Sequence, residues 1–363
     1  MQLPVQQSCA RCEDISETST ATGRVFAWFP IDHALKKAES ACRKAGLVVD
    51  ASLEEMRLTL SIENGCLATM LGALEENLTS EEAKSTRVLF KEGKADPTMQ
   101  DVAQVITLTQ FAARVNSEWL IALLKESRLT SHFQPIVNCR DTTEIFAHEA
   151  LLRGWGRDGS PISPGRIFDA ARDADLLFQL DLAARRSAIE RARFHALKSC
   201  LFINFTPTAI YDPACCLRST VRAINEAQIS PEQVVFEVIE SDRTTNMEHL
   251  LSILAYYRKH GFRVALDDLG AGYSSLNLIH QLKPNFIKLD MELIRDVDKD
   301  EYKAMVATKL LEMAQSLDVE TIAEGIETEG ELAWAQSHGV TYVQGYLIAK
   351  PEEQPVSTFK RAA

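Results

Sequence analysis

From His132 onward, short apolar runs alternate with longer stretches of helical periodicity. The runs are Phe133 to Val137, Phe146 to Leu152, Leu201 to Phe205, Val234 to Ile239, Val264 to Asp267, Phe286 to Asp290, Thr321 to Gly325 and Tyr342 to Leu347. They are too short for helices and nearly continuous in apolar residues, as strands buried on both faces are. Eight such strands with helices between them in about 230 residues predict an α/β fold of the (β/α)8, TIM-like barrel type. An open doubly wound sheet is the main competitor, but no GxGxxG or Walker-type phosphate loop follows any strand.

The pattern before the barrel differs. Arg24 to Phe29, Leu58 to Ile62 and Thr86 to Lys91 read as strands, and Asp32 to Ala45 and Leu67 to Leu78 as helices. This alternation predicts a small α+β module with helices on one face of a sheet. Lys94 to Pro97 breaks the pattern, after which Val102, Val105, Ala112, Val115, Trp119 and Leu123 recur at three- and four-residue steps. That spacing predicts one long amphipathic helix from Met99 to Lys125. The expected organisation is a small α+β domain over 1–97, a connecting amphipathic helix over 98–127 and the barrel domain over 128–363. The first module carries no recognisable chemistry, and sensing, dimerisation and mechanical support are all open to it.

Composition narrows the possibilities. A net charge of -12 argues against holding long nucleic acids by charge alone. No basic start followed by an apolar core opens the chain, and nowhere do 18 apolar residues run together, so the expectation is a cytoplasmic protein without a membrane span. Eight cysteines scattered along the chain read as reduced thiols. Cys9 and Cys12 form one CxxC, and no second pair completes a four-ligand zinc site.

The candidate chemistry lies at the C-terminal ends of the predicted strands, where barrel enzymes carry it. In order these ends present Glu149, Asn204, Glu237 with Glu240 just beyond, Asp267 and Asp268, Lys288 and Asp290, Glu324 with Glu327, and Gln344. The fifth end is the most demanding: Val-Ala-Leu runs straight into two adjacent aspartates and a glycine-bearing loop. Two like charges about 4 Å apart at an effective dielectric of about 20 repel by roughly 4 kcal/mol. Carboxylates and an amide converging on one mouth therefore call for positive charge, and oxygen-only ligands suit magnesium or manganese better than zinc.

These segments together resemble the EAL domain of bacterial cyclic di-GMP phosphodiesterases. Glu149-Ala150-Leu151 stands within HEALLRG, and FQPIV (Phe133 to Val137), INF (Ile203 to Phe205), FEVIES (Phe236 to Ser241), DDLGAGYSS (Asp267 to Ser275), IKLD (Ile287 to Asp290), AEGIET (Ala323 to Thr328) and QGYLIAKP (Gln344 to Pro351) follow in the family's order. The resemblance implies metal-dependent hydrolysis of cyclic di-GMP to linear pGpG. Carried over by position, Glu149, Asn204, Glu237, Asp267, Asp268 and Glu324 match the residues that hold two divalent cations, Mg2+ or Mn2+, with Ca2+ inhibitory. Lys288 matches the lysine near the attacking water. Glu324 matches either a ligand or a general base. Glu240 matches the glutamate that steadies the loop after the fifth strand. Arg153 matches a substrate-contacting arginine, and Asp290, Glu327 and Gln344 match contacts to substrate or to the ligands. Trp155 and Phe168 are candidates for the border of a guanine pocket. The family also implies a homodimer formed through the barrel.

Departures from the family pattern are few: Leu269 in place of phenylalanine, Ala271, Ile239, and Gly154 between Arg153 and Trp155. None removes a ligand position. The alternatives to an active phosphodiesterase are a catalytically inactive cyclic di-GMP receptor on the same fold, or a regulatory scaffold without nucleotide. The last leaves the acidic constellation without a cause.

Overall fold

The computed structural model describes residues 22–62, 66–239, 246–270 and 275–358. They fall into two compact units, one made of 22–128 with 162–180, the other of 129–161 with 181–358. Cys9, Cys12, Glu240 and Ala271 lie outside the described residues.

The first unit contains β1 (Gly23–Trp28), α1 (Asp32–Lys44), β2 (Val49–Ser52), β3 (Arg57–Ile62), α2 (Cys66–Asn77), α3 (Ser80–Ser85), β4 (Arg87–Glu92) and β5 (Ile106–Thr107). The strands form one antiparallel sheet in the order β2-β3-β1-β4-β5. Alternation along β1 turns Val25 and Ala27 toward Leu35, Ala38 and Cys42 of α1, and Met70 and Leu74 of α2 join the same core. The α+β reading of this region therefore holds. Strand β2 has no counterpart among the predicted strands, because Val-Asp-Ala-Ser buries only Val49.

The long helix expected over Met99 to Lys125 does not form. A 3-10 turn (Met99–Gln104), β5, α4 (Leu108–Asn116) and α5 (Glu118–Lys125) take its place. Thr107 explains the main break. Its hydroxyl accepts from the Gln110 amide while the Gln110 side chain accepts from the Thr107 amide, a reciprocal cap that starts a new helix. Ser117 then separates α4 from α5, and Val102, expected on the buried stripe, is 59% exposed.

The second unit is a closed eight-stranded barrel. Its first two strands, β6 (Leu129–Asn138) and β7 (Ile145–Trp155), form a hairpin, and β8 (Pro161–Ile162) and α6 (Pro164–Asp173) follow in the chain. Next come α7 (Leu177–Phe194), β9 (Cys200–Asn204), α8 (Pro213–Cys216), α9 (Arg218–Glu226), β10 (Val234–Ile239), α10 (Met247–Lys259), β11 (Arg263–Leu269), α11 (Ser275–Leu282) and β12 (Phe286–Leu289). The chain ends with α12 (Met291–Ile294), α13 (Glu301–Ser316), β13 (Glu320–Ala323), α14 (Glu329–Ser337) and β14 (Tyr342–Val343). Strands β7, β9, β10, β11, β12, β13 and β14 run parallel in that order around the barrel. β6 closes it, antiparallel to both β7 and β14. The barrel is thus not wholly parallel, because a hairpin turn too short for a crossover helix joins its first two strands.

One layer of side chains seals the N-terminal end of the parallel strands. It consists of Ile136, Ala147, Phe202, Val235, Ala265, Phe286 and Ile322, all fully buried, with Phe146 and Tyr342 packed against it. Phe202 and Phe286 meet edge to face at 5.3 Å. Phe202→Ala should cost about 3–5 kcal/mol, since the closed layer leaves little room to collapse onto the cavity. Urea unfolding measures this, and a loss below about 1 kcal/mol would contradict the packing described.

Candidate active site

The sealing layer fixes where the polar groups stand. Side chains alternate along a strand, so the residue two places on points into the barrel one layer higher. From Ala147, Phe202, Val235, Ala265, Phe286 and Ile322 that step reaches Glu149, Asn204, Glu237, Asp267, Lys288 and Glu324. On antiparallel β6 the same step runs backward, from Ile136 to Gln134. From Tyr342 it reaches Gln344. The barrel therefore carries a polar layer directly above an apolar one.

Lys288 is the hub of that layer. Its ammonium Nζ lies 2.7 Å from Glu324 Oε1, 2.8 Å from Glu237 Oε1, 3.0 Å from Asp267 Oδ1 and 3.5 Å from Glu149 Oε2. Lys288 and Glu237 are fully enclosed, with 1% and 0% of their side chains exposed. Glu237 Oε1 and Asp267 Oδ1 meet the ammonium by distance without the alignment of a hydrogen bond, so charge carries those contacts. Glu149 is held from the other side: Asn204 Nδ2 donates to Oε1 at 3.0 Å and Gln344 Nε2 to Oε2 at 2.7 Å. Gln344 Nε2 also donates to Gln134 Oε1 at 3.1 Å, and Gln134 Nε2 donates to the Ala349 carbonyl.

The fifth strand adds a second carboxylate through a backbone irregularity. The pairing of β11 with β12 shifts register between Leu266 and Leu269. Within that bulge Asp268 adopts a left-handed φ of 57°, a conformation aspartate tolerates better than most residues. Asp267, Asp268 and Glu324 each bring an oxygen within 4.8 Å of the others. The turns after the last two strands are equally constrained. Gly325, with φ +67°, follows Glu324, and a Cβ there would lie 2.4 Å from Met291 Cβ. Gly345 follows Gln344, and a Cβ there would lie 2.1 Å from the Ile326 carbonyl. Gly325 lets the loop after β13 approach α12, and Gly345 lets the loop after β14 approach Ile326, which fixes the polar residues before them.

The charges in this layer do not balance. Burial alone would push Lys288 down, but Asp267, Glu149, Glu237 and Glu324 outweigh it and hold the ammonium well above its usual range. Burial, only partly offset by Lys288, drives Glu237 well above the usual carboxylate range and raises Asp267. Glu324 is pushed up to about 8 by burial and by its acidic neighbours Asp267 and Glu149, against the pull of Lys288. Burial and then the charge of Asp267 raise Asp268 to about 6. One ammonium is insufficient for these carboxylates at neutral pH, so the layer needs protons or further cations. The residues fit cations: Asn204 Oδ1 and Glu237 Oε2 are buried acceptors with no donor, and every candidate ligand is an oxygen.

The remaining predicted residues are placed less centrally. Arg153 is half-buried and donates to its neighbour's carbonyl, on Leu152; burial lowers its pKa, and the charges of Tyr346 and Glu149 act in the opposite direction. Asp290 caps α12 by accepting from the Glu292 amide, and its charge reaches Asp268. Glu327 does not join the layer; it faces Arg295 at 3.4 Å near the surface. Trp155 lies in the barrel unit, its ring 6.5 Å from that of His132, while Phe168 belongs to the other unit. Gln134 is the site residue that reading the strand ends missed. Its signal was available, since it is the one polar residue interrupting Phe-x-Pro-Ile-Val, but it sits on the strand that runs the other way.

The family model described as the EAL domain matches residues 117–351. A protein of Escherichia coli strain K12 named probable cyclic di-GMP phosphodiesterase PdeB is 33% identical over 223 residues, which are 60% of this chain and 42% of that protein. The cyclic di-GMP phosphodiesterase NbdA of Pseudomonas aeruginosa is 27% identical over 243 residues, 64% of this chain and 30% of that protein. The chain thus spans less than half the length of these curated relatives. Among solved structures, a standalone versatile EAL protein from Vibrio cholerae O395, in a form bound to c-di-GMP, is 37% identical, with a TM-score of 0.57 over 64% of this chain and 95% of that one. With a matched model covering well over half its length and the barrel mouth built as described, the chain belongs to the EAL-domain family.

Proposed function

We propose that the chain is a cyclic-guanylate-specific phosphodiesterase that hydrolyses cyclic di-GMP to linear 5'-pGpG with two divalent cations, Mg2+ or Mn2+, and so lowers the second messenger. One observation carries the reading: four carboxylates converge on a single buried ammonium while Asn204 Oδ1 and Glu237 Oε2 remain without donors. The relatives named as phosphodiesterases and the Vibrio cholerae protein in its c-di-GMP bound form support it from outside the chain.

In this reading Glu149, Asn204, Glu237, Asp267, Asp268 and Glu324 hold the cations. When bound, the pair would supply an acidified water as nucleophile and charge stabilisation for the phosphoryl oxygens. The chain's own groups do the rest. Asn204 and Gln344 each donate to one oxygen of Glu149 and so orient its carboxylate. Lys288 Nζ, held at the centre of the carboxylates, donates to the attacking water and orients it. Glu324, pushed up to about 8 by burial, would be ionised by bound cations and then accepts the water's proton or stays a ligand. Arg153 meets the substrate phosphate, while Asp290, Glu327 and Gln344 serve substrate contact or support.

A homodimer through the barrel fits the surface of α13, where Tyr302, Met305 and Val306 lie one turn apart and are 86%, 65% and 52% exposed. The N-terminal α+β unit is the candidate regulator. Among the described residues no helix is long and apolar enough to cross a membrane, and the proposed messenger places the protein in the cytoplasm.

Incubation with cyclic di-GMP and Mn2+ should yield pGpG by chromatography; Ca2+ or a chelator should stop it, and Glu149→Ala should lower turnover by about a hundred- to a thousandfold. Tight nucleotide binding without product would instead establish the receptor, and absence of binding the scaffold. In chelator, Lys288→Met should destabilise the fold by about 3–5 kcal/mol by leaving buried carboxylates unpaired; an unchanged denaturation midpoint would contradict the hub assigned to Lys288. Met305→Glu combined with Val306→Glu should convert a sedimenting dimer to monomer, and a monomeric unaltered chain would overturn the dimer.

A further inference from the structure

A second buried ion pair lies beside the polar layer and belongs to no function assigned so far. Asp181 and Arg185, one turn apart on α7, are 3% and 1% exposed. Arg185 Nε and Nη2 both donate to Asp181 Oδ2, at 2.9 and 2.6 Å. Arg185 Nη1 donates to the Thr220 hydroxyl of α9, itself fully buried. The other carboxylate oxygen, Asp181 Oδ1, turns away from the arginine and accepts from the Thr206 amide at 2.8 Å.

Thr206 stands two residues past Asn204, the last residue of β9. At that point the strand leaves the sheet and its amides lose their regular partners. The Phe205 amide still reaches the Glu237 carbonyl, at 3.3 Å, and the Thr206 amide is taken by Asp181. A charged acceptor buried with its own counter-ion is a strong and costly choice for one backbone amide, which implies that the position of this strand end matters.

We infer that the Asp181–Arg185 pair is a positioning device for Asn204: by gripping the Thr206 amide it fixes the end of β9, so that Asn204 keeps Nδ2 on Glu149 and leaves Oδ1 available as a cation ligand. The inference rests on the two-cation reading above. The plainer role, cementing α7 to α9 through Thr220, would stabilise the fold without favouring Asn204 over any other residue.

Calorimetric titration with Mn2+, alongside urea unfolding in chelator, separates the two. Asp181→Leu with Arg185→Met removes the pair and the acceptor while keeping apolar volume. It should weaken Mn2+ binding about 10–100-fold, the usual cost of losing support behind a metal ligand. Asp181→Asn with Arg185→Met returns an oxygen to the Thr206 amide and should restore affinity to within about twofold of the unaltered chain. In an Asn204→Ala background the Leu/Met exchange should cause no further loss of affinity. If the Leu/Met variant does not fold, Asp181→Ala with Arg185→Gln carries the same comparison. Equal affinity in all variants, or a loss that is the same with and without Asn204, overturns this inference alone. Failure of the unaltered chain to bind Mn2+ overturns both it and the two-cation reading.

Discussion

The constraint on which the barrel mouth depends is the meeting of one ammonium with four carboxylates inside a space closed to water below. Lys288 stands directly above the apolar floor, to which Phe286, two residues earlier on the same strand, contributes. The apolar layer excludes solvent from beneath, which raises the cost of every charge above it. The charges are tolerable because they are paired, and because the pairing is incomplete the layer has room for the cations proposed above. Fold and chemistry are joined at this layer boundary.

That boundary explains how much of the protein was legible in its sequence. Each of the first six parallel strands carries a buried apolar residue and, two positions on, a polar one: Ala147 and Glu149, Phe202 and Asn204, Val235 and Glu237, Ala265 and Asp267, Phe286 and Lys288, Ile322 and Glu324. A period of two is what strand geometry imposes, so the strands and the polar residues at their ends could be read together. Gln134 escaped because β6 runs against its neighbours, and its inward polar residue precedes the apolar one. Strand direction is set by the length of the connection to β7 rather than by anything within β6.

The region before the barrel is less legible for a related reason. Hydrophobic spacing over Met99 to Lys125 is compatible with one helix, and nothing in periodicity alone reports a cap. Thr107 and Gln110 form one, and a side-chain hydrogen bond of this kind redirects the backbone regardless of the apolar stripe around it. The strand Val49–Ser52 was invisible because a short edge strand needs only one buried residue. The Asp181–Arg185 pair was equally hidden: i,i+4 acid and base on a helix usually mark a solvated face, and burial becomes evident only once α7 lies against the strand end that carries Asn204.

Everything proposed for the barrel mouth turns on whether the carboxylates around Lys288 accept metal. Anomalous diffraction from crystals of the intact chain soaked in Mn2+ measures this directly. Two manganese peaks among Glu149, Asn204, Glu237, Asp267, Asp268 and Glu324 are the predicted result. The contradicting result is a barrel mouth without anomalous density, its carboxylates still gathered on Lys288 at saturating Mn2+.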